Sequence, residues 1–481
     1  MSQLHYLCKP EAMVPATLPE LVQHVLAGDD FHAAVALYPV VNSADRASLG
    51  TRIFSTRRDV LMLARWEHTP AAVLEVLSQL PHMPMARRVV RHRNTAGETL
   101  SQHYASHQDP ALPSLLAQHP HAPQALLLRM ASEEQDHVVL KCLVRNQQAP
   151  TAALELLHQR FPGSFDKELA MHPATSPEML AAIYAAHSDT AGGALIRAAI
   201  IANPHCPQAC VQQAEHAHER ALLRAVAKHP ALSVARIRKL ASYPDNAVRA
   251  AIAAHPSLPP MLTMKLAQDA SDAVRRTIAS RPDLSADCMW QLAQDQDPWV
   301  RQWLARNPAS SHDLLNKLAL DIDEDVRRAV ARNPRCPLML LKKLAHDARS
   351  WVRSAVAYQA AATSTMLARL AHDSAVDVLA GVAVNMHTPQ PILRKLAHAD
   401  DMDIRRGVIL NSQATRNTLL PLLEDPYYLH RLMLVSCPQL SAQDKWGLRD
   451  DPDYRVRFTL YQWLATRLSS ATHPSYFDRR L

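Results

Sequence analysis

The residues best placed to do chemistry are arginines at a fixed spacing. Arg249, Arg275, Arg301, Arg327 and Arg353 follow one another every 26 residues, and Arg87, Arg197, Arg405, Arg431 and Arg457 share their slot. A row of guanidinium groups at one repeat length can track a phosphate backbone. A second slot holds carboxylates: Asp269, Asp295, Asp321, Asp347, Asp373, Asp425 and Asp451. Arginine's planar fork binds a carboxylate with two parallel hydrogen bonds, so the two slots can also brace each other as an inter-repeat ladder. Charge rows are more often structure than function, and the ladder is the favoured reading of Arg249, Arg275, Arg301, Arg327 and Arg353 with Asp269, Asp295, Asp321 and Asp347.

The densest basic patch is Ala86-Arg87-Arg88-Val89-Val90-Arg91-His92-Arg93, with Glu98 the next acidic residue along the chain. Taken as one more repeat, it turns Val90 inward, Arg88 and Arg93 outward, and sets Arg87 and Arg91 at the flank. Arg87, Arg88, Arg91 and Arg93 are therefore candidate contacts for an anionic partner. Cys206 and Cys210 stand beside His205, but no second pair completes a metal motif, and Cys288 and Cys336 occupy the same repeat slots. They read as small buried residues, and no metal or cofactor is expected. Many of the 26 histidines fall just before a proline, where a polar side chain at a helix end is enough. Phosphate-binding glycine loops, nucleophile elbows and HExxH are missing, so catalysis is not expected. Trp290, Trp299, Trp303 and Trp351 lie in neighbouring repeats; they fit either an aromatic contact strip or fillers between helices.

The elements that carry these residues follow from composition and period. Hydrophobic residues make up 48% of the 481, enough for a core, while 9 Gly against 34 Pro disfavours an all-β protein rich in tight turns. Net charge is +7, compatible with a nucleic-acid partner without requiring one. No apolar run approaches the ~18 residues of a membrane span. The seven cysteines and an amino-terminus without a secretory pattern suggest a cytoplasmic protein.

Self-similarity organises the rest. VRAAIAAHP, VRRTIASRP, VRQWLARNP and VRRAVARNP start at Val248, Val274, Val300 and Val326, and weaker copies extend from Val60 to Val456. Spacing of 26 is broken only before Val139, by 27, and before Ile196, by 31. Each copy predicts two helices. In the Val326 copy, Val326, Ala329 and Val330 share one face; Asp321 or Asp323 is the N-cap, and Asn333-Pro334 is the stop, with Asn suited to a left-handed cap. Three residues beyond that proline, Pro or Ser/Thr opens a second helix. The fold class expected is all-α: an α-solenoid of about 16 two-helix repeats with a 26-residue period over 60–468. Residues 1–59 are expected to form a helical cap over the first repeat, through Leu18, Leu21, Val22 and Val25, and 469–481 a polar tail. Val274, Ile278, Val300, Leu304, Val326, Val330 and Val352 are the predicted core.

The pattern V-R-x-x-V-A-x-N-P-x-x-P-x-x-L-L-x-x-L-A-x-D resembles the leucine-rich repeat variant family, most closely in VRRAVARNPRCPLMLLKKLAHD and VRAAIAAHPSLPPMLTMKLAQD. The D-x-x-x-V-R element is also similar to HEAT repeats. The resemblance implies a right-handed helical superhelix in which one helix of each pair is short or 3-10. It implies binding on an extended surface and no particular chemistry. The family's founding type carries an N-terminal iron–sulfur module, but Cys8 alone precedes Cys142 here, so no cluster is carried over. The function expected is a non-enzymatic scaffold for a protein or peptide partner, acidic in view of the arginine excess. The alternative is a nucleic-acid-binding HEAT-like solenoid, including the DNA-glycosylase type.

Overall fold

A computed structural model describes residues 13–28, 30–80, 83–106, 109–188 and 192–472. These form 34 α-helices and two 3-10 helices, with no strand among them. The fold is an α-solenoid: sixteen first helices, from Arg57–Leu63 to Tyr454–Thr472, alternate with second helices. Within each unit first helices pack on one another, as Pro298–Arg306 does on Glu324–Arg332 and Val376–Val384 on Met402–Leu410. The helices group into two units, one of residues 86–352 and one of residues 1–85 with 353–481.

The Val326 repeat shows how the sequence makes each pair. Asp323 caps the helix Glu324–Arg332, its carboxylate accepting the N–H groups of Asp325 and Val326. Val326, Ala329, Val330 and Ala331 are buried. Pro334 forces Asn333 into extended backbone, φ −66 and ψ 127, rather than the left-handed cap expected. Pro337 is itself the N-cap of Leu338–Leu344, one position earlier than the first helical turn. Where serine fills that slot, as at Ser285 and Ser311, its hydroxyl accepts the N–H three residues on. Val274, Ile278, Val300, Leu304, Val326, Val330 and Val352 are all fully buried. Burying each such side chain stabilises by about 1.5–3 kcal/mol.

The residue before proline does more than stop the helix. The Asn333 amide donates to Ala305 O and Asn307 O of the preceding repeat, at 2.7 and 3.0 Å, and its Oδ1 accepts Arg335 N–H. Asn307 does the same to Ala279 O and Arg281 O. Asn146, Asn203, Asn385 and Asn411 repeat the pattern. Histidines substitute with one bond: the Nε2 atoms of His119, His172 and His255 reach His92 O, Asn146 O and His229 O. Their Nδ1 atoms accept the N–H two residues on, which leaves Nε2 as the donor. Burial pushes the His119 imidazole below its ordinary range, in keeping with a neutral ring. Each such side chain adds a donor to carbonyls at the end of the previous first helix, some of which, such as His92 O and Asn307 O, also accept the backbone N–H three residues on.

The same geometry corrects the register of two early repeats. Thr175, Ser310 and Thr388 donate to Leu169 O, Leu304 O and Val382 O, six residues back. Thr69 and Thr95 do so to Leu63 O and Val89 O. Position one of those repeats is therefore Asp59 and Met85, not Val60 and Ala86. A second 27-residue step consequently falls before Leu112.

In the unit of residues 1–85 and 353–481, residues between Val14 and Trp66 meet residues between Gln443 and Thr472. Phe31–Leu37 packs on Tyr454–Thr472 as one first helix packs on the next. Asp30 caps Phe31–Leu37 and accepts Arg457 Nε at 2.5 Å. His32 stacks on Tyr454 at 4.3 Å, Trp66 meets Phe458 edge-on at 4.7 Å, and Val14 N–H donates to the Gln443 side chain. The segment expected to cap the first repeat packs on the last helix. That helix runs to Thr472, through the start of the expected polar tail; residues 473–481 lie outside the described residues.

Candidate interaction surface

The second-position arginines are engaged inside the fold. Arg301 gives Nε and Nη2 to the two oxygens of Asp321, at 2.7 and 2.9 Å, and Nη1 to Asp295 O and Gln296 O. Arg249 takes Asp269, Arg275 takes Asp295, and Arg327 takes Asp347, each with two bonds. In the other unit, Arg353 takes Asp373, Arg405 takes Asp425, and Arg431 takes Asp451. Each arginine bridges the loop before its helix to the loop after its repeat. The Arg301 and Asp321 side chains are 13% and 8% exposed, so little of either meets solvent. Burial pushes Asp321 up, but the Arg301 bonds and the Asp323 N–H outweigh it and hold the carboxyl below its ordinary range.

One rung is inverted. The second position of the Phe165 repeat holds Asp166, which is buried and pairs with His187 Nε2 at 2.9 Å, with His158 Nδ1 3.7 Å away. This cluster lies beside the 31-residue step and was not picked out from the sequence. An aspartate in an arginine slot was the available signal.

The basic run 86–93 is only partly a free surface. Arg87 binds both oxygens of Asp109, at 2.5 and 2.8 Å, a partner 22 residues away that adjacency in sequence did not suggest. Arg88 is half-buried, with Nη1 enclosed, because the register shift turns it inward from the outward position expected. Val89 is buried along with Val90, while Arg91 and Arg93 are exposed. The four residues are thus not one outward-facing cluster.

Burial raises the Cys206 and Cys336 thiols to about 12 and Cys288 to about 11, so these are protonated, unreactive side chains. Among the described residues no group of three His, Cys, Asp or Glu is arranged to hold a metal ion. No described helix is long and apolar enough to cross a membrane.

The exposed side of the first helices in the unit 86–352 has a different character. Ala247, Ala250, Ala251, Ala254 and Ala273 floor an apolar groove of about 580 Å³, with Lys228 and His255 at its edge. Next along the stack, Trp299 and Trp303 stand one turn apart on the helix Pro298–Arg306, 55% and 40% exposed. Trp351, 51% exposed, repeats the Trp299 slot two repeats on. These three are surface residues, not fillers between helices. Each ring carries a cation: Arg276 lies 5.8 Å from the Trp299 centre, Arg306 5.7 Å from Trp303, and Arg328 5.2 Å from Trp351. Trp290 differs, since it sits on a second helix under Lys317. An exposed cation–π contact is worth about 0.5–1 kcal/mol.

The carboxylates on this side are answered by the chain itself. Asp272 pairs with Arg276, Asp325 with Arg328, and Glu324 with Arg349. Arg306 and Lys228 are exposed, with no carboxylate within ion-pair distance among the described residues. The surface combines apolar area, ring edges and cations in excess.

No protein-family model matches the chain, and no curated protein matches it. Among solved structures it is similar to one described as a leucine-rich repeat variant with a novel repetitive protein structural motif. Identity is 25%, over 46% of this chain and 86% of that one, with a TM-score of 0.35.

Proposed function

We propose that the chain is a non-enzymatic binding scaffold, a repeat array of the leucine-rich-repeat-variant kind, that receives a protein or peptide partner on the exposed side of its first helices. The observation that carries this is the cluster of solvent-facing Trp299, Trp303 and Trp351 beside the alanine-floored groove. Large exposed apolar rings rimmed by polar groups mark interaction sites, and tryptophan and arginine dominate binding energetics in such sites. Among the described residues the cysteines are unpaired and largely buried, which supports a cytoplasmic placement.

The nucleic-acid reading draws less support. Its arginine row is committed to aspartates, and tracking phosphates would cost those bonds. The test is a quantitative pull-down from source lysate with the wild type, a Trp299→Ala/Trp303→Ala variant and an Arg301→Ala variant. Specific proteins should be lost with the tryptophan variant and kept, per folded molecule, with Arg301→Ala. Recovery of nucleic acid in their place, with affinity for generic duplex DNA falling steeply with salt, overturns the proposal.

A further inference from the structure

We infer that the partner segment on this surface is an extended acidic peptide, a claim that rests on the scaffold reading above. Three observations on the face of the unit 86–352 point the same way. The faces of Trp299, Trp303 and Trp351 are already stacked by Arg276, Arg306 and Arg328. A lysine- or arginine-bearing peptide seeking those rings would find them occupied by like charge. The exposed carboxylates Asp272, Glu324 and Asp325 are each paired within the chain, so little negative charge is left to attract a cation. Lys228 at the groove and Arg306 on Trp303 are the surplus, and a guanidinium's planar fork can take a carboxylate with two N–H groups.

The dimensions suit an extended chain. First helices stack about 8–10 Å apart. The alanine groove on Asn246–Ala253 and Trp303 on Pro298–Arg306 are two helices apart, roughly 16–20 Å. A peptide rising about 3.3 Å per residue spans that distance with five or six residues. Reaching Trp351, two helices further on, takes about ten to twelve. The groove, small-walled and apolar, seats one aliphatic or aromatic side chain of the peptide. Its carboxylates then meet Lys228 and Arg306, while Arg276 is held by Asp272 and Asp297 and Arg328 by Asp325.

The test pans a random 12-residue peptide phage library on the full-length protein. Enriched sequences are then synthesised, alongside versions with every Asp and Glu changed to Lys, and compared by fluorescence anisotropy with a 12-nucleotide oligothymidine. Enrichment in Asp and Glu around one or two large apolar residues is expected. So are binding roughly tenfold weaker to Arg306→Glu or Lys228→Glu, and loss with the lysine versions. Enrichment in basic or uncharged peptides that still depends on Trp303 overturns the acidic assignment and leaves the scaffold reading standing. Acidic peptides indifferent to Arg306→Glu, Lys228→Glu and Trp303→Ala overturn the assignment of this face. No enrichment over the starting library overturns both readings, and tighter binding of oligothymidine than of any selected peptide replaces them with a nucleic-acid one.

Discussion

Two arginines five residues apart on one helix, Arg301 and Arg306, have opposite fates. Arg301 is held by both oxygens of Asp321 and two loop carbonyls. Arg306 lies exposed on Trp303 without a carboxylate beside it. Residue type does not separate them; the aspartate 20 residues on does. Slot arginines with an aspartate 20 residues on pair with it, and Arg197 and Arg457, which have none, take Glu219 and Asp30 instead. Where the slot arginine is missing, its aspartate can be missing too. At Leu379 the arginine is missing, and Ala399 stands where its aspartate would be; Leu223 and Tyr243 are missing the pair in the same way. Leaving one member alone in a largely desolvated site is more costly than losing both.

The contrast can be broken at graded cost. The largest loss is expected at the amide row, which braces the same helices from the other end. Asn333 is 1% exposed, and Asn333→Ala strands Ala305 O, removes the acceptor of Arg335 N–H and leaves Asn307 O with the Ser310 N–H alone. Each stranded buried group costs about 1–3 kcal/mol, so a destabilisation of about 3 kcal/mol is expected in urea unfolding. A loss below about 1 kcal/mol would mean that water replaces the amide.

Arg301→Ala comes next, at about 2 kcal/mol, because its partner keeps a charge shielded from water. The deficit should depend on pH with a definite sign. Asp321 ionises below the ordinary carboxylate range in the folded state, so the rung's contribution is full above the unfolded carboxylate value near 4 and is lost as pH falls through the depressed folded value. Wild type and Arg301→Ala should therefore converge in stability in acid and diverge at neutral pH. A gap that widens on acidification would contradict the pairing.

Arg457→Ala is expected to cost about 1–2 kcal/mol, since Arg457 and Asp30 are each about one-fifth exposed. Intrinsic fluorescence of Trp66 and Trp446, which line the contact between the two ends, should report the loosening. An unchanged spectrum and midpoint would show that aromatic packing alone holds the ends. The smallest effect on stability belongs to Arg306→Ala, within about 0.5 kcal/mol, as for an exposed residue without an ion pair.

How much of this could be read in the sequence depends on how far apart the cooperating residues lie. The helix pairs, the valine core and the arginine–aspartate slots were legible because both members of each interaction recur at the same period. The amide row was half legible: Asn before Pro signals a helix stop, but not that the amide reaches back 26 to 28 residues to the previous repeat. The first two registers slipped by one because Asp59 and Met85 fill the valine slot while Val60 and Ala86 stand beside them. The contact of Asp30 with Arg457 spans 427 residues and leaves no periodic trace. The solvent exposure of Trp303 was undecided because position four holds a small residue, such as Ala251, Ala329 or Gly381, in other repeats. A large ring there reads equally well as filler or as surface.

The most direct test of the account measures Arg301→Ala and Arg306→Ala side by side, each by urea unfolding and by anisotropy with the same library-selected peptide. The account predicts a crossed result: Arg301→Ala loses about 2 kcal/mol of stability and binds normally per folded molecule, while Arg306→Ala unfolds like the wild type and binds roughly tenfold more weakly. The opposite crossing, with binding lost at Arg301 and stability lost at Arg306, would contradict it.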